Sequence, residues 1–207
     1  MLILLKNGQL GKGSKMREIL LFIAAYVIGN MLTGYVLAKF FYHKNIQSEG
    51  SGNVGARNAG RILGKKAFVM TFFGDAGKGA IVVLISKWLE FSVVAQLLIL
   101  LAVTLGHIFP ILFHFKGGKG MSTFIGGLLA FNPLLFSAFA GVFILFYFII
   151  KSLTLAGMAA VALLPAIMYF FHFDLYPILS AILLSAMVIF AHRQNIRDKI
   201  FSERKIS

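Results

Sequence analysis

Seven apolar stretches follow one another along this 207-residue chain, at approximately 19–41, 67–85, 91–115, 121–131, 134–150, 153–171 and 175–191. Runs of this length, set so close together, leave few folds open. A hydrocarbon core about 30 Å thick takes about 20 helical residues to cross. Because lipid offers no hydrogen bonds, such segments must satisfy their own backbone as helices. Only 13% of residues are charged, against about a quarter in soluble domains, and the mean hydropathy is +0.87. The polar remainder is too short to form a second, water-soluble domain. The chain therefore reads as one all-α integral membrane domain over 16–207, with seven transmembrane helices and glycine-rich cytoplasmic loops.

Charge orients the domain. Lys44, Arg57, Arg61, Lys65 and Lys66 lie between the first and second stretches, and Arg193, Arg197, Lys199, Arg204 and Lys205 follow the last. The positive-inside rule places both groups in the cytoplasm, so an even number of crossings separates them. That parity requires the chain to turn at Asn132-Pro133 rather than run through as one kinked helix. Lys116, Lys119 and Lys151 then fall inside, and the turns near 87–90, 132–133 and 172–174 fall outside. Seven crossings also put the N-terminus outside, which conflicts with Lys6, Lys12, Lys15 and Arg17. The run from Gly11 to Met16 can be encoded by purine-rich codons of the ribosome-binding kind. We therefore expect translation to start at Met16, with residues 1–15 an extension created by a mis-assigned start. A cleaved signal peptide fits less well, since the apolar run at 1–5 is too short.

The net charge of +13 suits cytoplasmic loops and anionic lipids or substrates. With no basic amphipathic arm, nucleic acid is not an expected partner. The absence of Cys excludes disulfides, thiolate metal sites and a thioester-forming nucleophile. No histidine pair with a carboxylate stands at metal-ligand spacing, so neither a metal nor another cofactor is expected.

The polar residues gather in four places. The segment from Gly50 to Arg61 combines glycines, which let backbone N–H groups converge on an anion, with Ser51, Asn53, Arg57, Asn58 and Arg61. Its G-x-G-x-x-G pattern follows a membrane span instead of a strand, so a dinucleotide fold is not implied. A second segment places Lys116 and Lys119 among Gly117, Gly118 and Gly120 just before a helix start, a cradle suited to phosphate. It departs from a Walker A loop, having Gly120 after Lys119 and Phe113 at the first glycine position. Asp75 and Lys78, three residues apart in one span, can pair on one helix face, either as a structural ion pair or as a substrate contact. The run from His192 to Arg197 ends the last span, and Lys199 beyond it is expected to take no part in turnover. Topology brings both glycine-rich segments and His192 to one face, where a phosphorylated substrate with an acyl chain would meet the bilayer edge.

The Ser51–Arg61 motif, the Gly106–Gly120 motif with its Lys-Gly-Gly-Lys-Gly core, and the His192–Asn195 ending together resemble the bacterial acyl-phosphate:glycerol-3-phosphate acyltransferase family of PlsY type. The resemblance covers about 16–197. It implies a multi-pass, monomeric enzyme of the bacterial inner membrane with a cytoplasmic active site. It further implies transfer of a fatty acyl group from acyl phosphate to the sn-1 hydroxyl of glycerol 3-phosphate, giving lysophosphatidate and phosphate at the first step of phospholipid synthesis. Carried onto matching positions, it makes Ser51, Lys119, His192 and Asn195 catalytic candidates, and Asn53, Asn58, Arg61, Gly118, Gly120 and Thr154 substrate-binding candidates. Arg57 stands where the family usually has Thr. Thr154 keeps a hydroxyl where a first serine is expected, and Gly157 has lost the second.

An acyl phosphate is a mixed anhydride with a good leaving group, so no covalent enzyme intermediate is required. The H-x-x-x-x-D spacing of the other large acyltransferase class is missing, since Arg197 lies five residues after His192 and Leu112 five after His107. Two other readings compete: a transporter or flippase for a phosphorylated or lipid solute, motivated by Asp75 and Lys78, and a catalytically silent paralogue, motivated by Arg57 and Gly157. Against transport stand the absence of an inverted repeat and the gathering of polar motifs at one face.

Overall fold

The computed structural model describes the backbone of residues 2–203 and the side chains of residues 15–200; Lys6, Lys12, Arg204 and Lys205 lie outside the described side chains. The described residues form helices only. They are α1 (Leu2–Gly29), α2 (Thr33–Val36, continued by a π-helical turn Leu37–Phe41), α3 (Ala56–Leu63), α4 (Lys65–Trp88), α5 (Val93–Ile108, followed by a 3-10 turn Ile111–Phe113), α6 (Met121–Phe131), α7 (Pro133–Ile150), α8 (Leu153–Phe170) and α9 (Leu175–Glu203). Among the described residues, six helical segments are long and apolar enough to cross a membrane: Lys15–Phe41, Lys65–Trp88, Val93–Phe113, Pro133–Ile150, Leu153–Phe170 and Leu175–Ile200. The remaining apolar helix, α6, has 11 residues and rises about 16 Å, too little to cross alone.

The chain breaks at Asn132-Pro133, as charge parity requires. Asn132 is extended, its side chain accepts hydrogen bonds from the Leu134 and Leu135 backbone N–H groups, and Pro133 occupies the first turn of α7, where its missing N–H costs nothing. The short α6 compensates for its length by burial. Thr123, Phe124, Gly126, Gly127, Leu128 and Phe131 are all buried, and close approach to α4 is possible because a Cβ on Gly126 would collide with the Ala76 carbonyl and one on Gly79 with that of Thr123. By contrast, α7 buries only Leu135 and Phe139, leaving an apolar surface suited to lipid.

The first span is interrupted. Between α1 and α2 the helix opens at Asn30–Leu32, which would strand backbone polar groups in an apolar surround. A neighbouring helix satisfies them. From α4, the Lys78 ammonium donates to the Gly29 carbonyl at 3.0 Å and the Met31 carbonyl at 2.9 Å, closing the end of α1. Asp75 accepts from the Thr33 backbone N–H at 3.4 Å, at the start of α2. The two side chains pair with each other at 3.2 Å and are both buried.

Two ends of the bundle can be distinguished. At one, Lys87 donates to the Ala130 and Phe131 carbonyls and the Phe131 ring packs against Phe173, so the turns after α4, α6 and α8 lie together. At the other, Arg57 reaches Thr154 and the polar motifs converge.

Candidate active site

The first motif is not a loop throughout. Gly50 and Gly52 have positive φ, and Asn58, buried within α3, holds the turn by accepting from the Ser51 N–H at 3.0 Å and donating to the Glu49 carbonyl at 3.1 Å. A side chain on Gly50 would strike the Asn58 amide oxygen. Asn53 caps the next turn by accepting from the Gly55 N–H at 2.7 Å. From Ala56 onward the motif is helical, so Arg57 and Arg61 sit four residues apart on one face.

The lysine-glycine segment is held against the end of α5. Gly118 donates its N–H to the His107 carbonyl at 3.0 Å, and the His107 ring occupies the space a Gly118 side chain would need. The ring is in turn tied to α4, since Lys78 donates to His107 Nδ1 at 2.7 Å. Gly120 adopts φ +77°, and α6 starts directly after it. This leaves Lys119 partly buried at the cavity edge. Burial pushes its ammonium below the ordinary lysine range; Asp198 opposes that shift, and the Arg57 charge adds to it.

The third motif continues as helix, since α9 runs on to Glu203. His192, Asn195, Asp198 and Lys199 recur at helical spacing on one face. His192 makes a 2.8 Å contact from Nδ1 to the Val188 carbonyl; because a carbonyl only accepts, Nδ1 carries the proton and Nε2 of the neutral ring is left as an acceptor.

These pieces enclose a cavity of about 560 Å³. Its polar wall includes Ser51, Asn53, Arg57, Asn58, Arg61, Lys119, Gly120, Ser122, Thr154, His192, Asn195, Asp198 and Lys199, and Phe68, Phe72, Met121, Leu153 and Met158 supply an apolar side. Asp75 and His107 reach its floor. Among the described residues, Arg57, Arg61 and Lys119 have no carboxylate within ion-pair distance, and Asp198 is the one carboxylate of the polar wall that acts on Lys119, so the wall carries a surplus of positive charge. Such a wall suits phosphate groups.

Of the residues selected from sequence, only Gly118 lies outside this wall, and its N–H is already committed to His107. Asn58 lines the cavity, but its amide is spent on shaping the turn. Lys199, set aside in the sequence as a tail residue, lines the wall together with Asp198. The signal was present in the sequence: continuing the helical period of the last span past Ala191 puts position 199 seven residues from His192, on the same face. Asp75 and Lys78, which motivated a transport pathway, are occupied in closing the break in the first span.

Fold and site together define a multi-helix membrane protein with a cationic cavity bordered by apolar side chains. A sequence profile described as glycerol-3-phosphate acyltransferase matches residues 19–201. The chain is 46% identical over 177 residues to glycerol-3-phosphate acyltransferase 1 of Bacillus thuringiensis subsp. konkukian, covering 86% of this chain and 97% of that protein. It is 40% identical over 191 residues to the glycerol-3-phosphate acyltransferase of Streptococcus thermophilus, covering 87% and 89%. Among solved structures, it resembles PlsY (YgiH), an integral membrane glycerol 3-phosphate acyltransferase, in its glycerol 3-phosphate form with TM-score 0.83, 32% identity, and coverage of 90% and 93%. The lysophosphatidic acid form of PlsY gives TM-score 0.80 at the same identity and coverage. The chain belongs to the glycerol-3-phosphate acyltransferase family.

Proposed function

We propose that the protein transfers a fatty acyl group from acyl phosphate to the sn-1 hydroxyl of glycerol 3-phosphate, forming lysophosphatidate and inorganic phosphate. The observation that carries this reading is the convergence of Arg57, Arg61 and Lys119, none within ion-pair distance of a carboxylate, with Ser51, His192 and Asn195 around one cavity that has an apolar side. Both substrates bring a phosphate, and one also brings a chain. The acceptor oxygen bonds to the acyl carbon, the bond from that carbon to the phosphate oxygen breaks, and phosphate leaves with the electron pair and takes the hydroxyl proton. His192 Nε2 accepts the hydrogen bond that orients the hydroxyl, and Ser51 and Asn195 position the acceptor. Lys119 and Arg61 offset phosphate charge, and Asn53, Gly120 and Thr154 complete the binding wall. Catalysis rests on holding the hydroxyl against the carbonyl while fixed positive charges stabilise the transition state.

In the membrane, α6 and the loop before it act as the seventh crossing, with the cavity at the cytoplasmic face of the bacterial inner membrane and the protein working as a single chain. Support comes from the lysines and arginines gathered around the cavity end. The purified protein in detergent, given radiolabelled glycerol 3-phosphate, should form lysophosphatidate with synthetic acyl phosphate but not with acyl-CoA or acyl-carrier-protein thioesters. Plain glycerol should be a poor acceptor, having no charge for the cations to bind. Efficient use of acyl-CoA, or equal use of glycerol, would contradict the assignment.

A further inference from the structure

Beside the cavity runs a second depression of about 450 Å³, lined by Arg57, Gly60, Arg61, Lys65, Phe68 and Val69. The two share Arg57, Arg61 and Phe68, so the polar cavity and this groove meet at the cationic face of α3. Arg57 is exposed there and is held from across the cavity, its guanidinium donating to the Thr154 hydroxyl on α8 at 3.0 Å. The other guanidinium N–H groups have no protein partner among the described residues. Arginine presents a rigid fork of donors, so one hydrogen bond to Thr154 orients the fork and leaves the rest for an anion.

We propose that Arg57 binds the phosphate of the acyl donor and sets the affinity for that substrate separately from the acceptor. A ligand with a phosphate bonded directly to an acyl group has to place its head where charge ends and its chain where apolar surface begins. That junction is at Arg57, with Phe68 and Val69 beside it to take the first methylenes. Glycerol 3-phosphate has no chain to draw it to the groove. Thr154 acts as a positioning residue, preorganising the guanidinium between α3 and α8.

The inference rests on the proposed acyl-phosphate reaction, and its test separates the two. KM for palmitoyl phosphate and for glycerol 3-phosphate is measured for the wild type, Arg57→Ala, Arg57→Lys and Thr154→Val, alongside direct binding of dodecyl phosphate, an unreactive phosphate with a chain. Arg57→Ala should raise KM for palmitoyl phosphate about tenfold or more and weaken dodecyl phosphate to match, leaving KM for glycerol 3-phosphate within about twofold. Arg57→Lys should recover part of the loss, because it restores charge without the fork. Thr154→Val, close in shape, should give a smaller rise in the same KM alone. Unchanged donor KM in Arg57→Ala, or an equal rise for both substrates, would overturn the assignment of Arg57. If wild-type protein failed to use palmitoyl phosphate, the donor reading would fall, while dodecyl phosphate binding would still decide Arg57. Should Arg57→Ala not fold, the Lys and Val variants carry the same comparison.

Discussion

Lys119 shows how much one side chain depends on its surroundings. In water its ammonium would stay charged beyond any physiological pH, but at the cavity edge burial lowers its pKa from the usual 10.5. The charged form, to which the proposed reaction assigns the phosphate, exists below that lowered pKa and is lost as pH rises through it. The alkaline limb of kcat/KM, which reports the free enzyme, should therefore fall earlier than an ordinary lysine would allow. Lys119→Arg should carry whatever activity it retains further into the alkaline range, and a limb unmoved by this change would assign it to another group. Lys119→Ala should cost roughly 2–5 kcal/mol of transition-state stabilisation as read from kcat/KM, since one cation of the proposed phosphate site is removed from partly desolvated surroundings. Arg193 is the control: exposed, stacked on the Phe190 ring and absent from the cavity wall, its change to Ala should leave turnover nearly unaltered.

At the scale of elements, the break in the first span is the feature with most at stake. Lys78 serves two carbonyls, the Asp75 carboxylate and the His107 ring at once, and it links α1, α4 and α5. Lys78→Met keeps most of the length of the side chain but takes the ammonium partner away from the buried Asp75 carboxyl and from both carbonyls. The cost should be about 3–5 kcal/mol, read as a lowered thermal midpoint in detergent. Asp75→Asn should be milder, because the amide can still accept from Thr33. A midpoint unaffected by Lys78→Met would mean that the break is closed by some other means. Gly157, in contrast, is buried but not crowded: a Cβ there would meet only the end of the Met121 side chain, at an ordinary van der Waals distance of 3.8 Å. Gly157→Ser should therefore be accepted with little change in stability, and the same thermal measurement checks it.

For the whole molecule, the arrangement of turns makes a sidedness prediction. Lys151 directly precedes the helix that brings Thr154 to the cavity, while Asn132 and Asp174 belong to the end where Lys87, Phe131 and Phe173 meet. Single cysteines in this Cys-free chain, probed with an impermeant thiol reagent on intact spheroplasts, should label at 132 and 174 but not at 65 or 151. Labelling of position 151 from outside would reject a cytoplasmic cavity.

Hydropathy and charge are properties of composition along the chain, and lipid allows few backbone solutions, so the helical class and the reversal at Asn132-Pro133 were legible without coordinates. Glycine, serine, asparagine and lysine clusters likewise stood out because polar residues are scarce in such a chain. What needed the tertiary structure was how these residues use their hydrogen bonds. Gly118 resembles an anion-binding position until the His107 carbonyl takes its N–H, and Asn58 resembles a ligand until its amide is found holding Ser51 and Glu49. The pairing of Arg57 with Thr154 spans 97 positions, and Lys78 meets Gly29 across 49. No local periodicity encodes contacts at that separation: they depend on which helices pack together, and packing is settled by the shapes of all the faces at once.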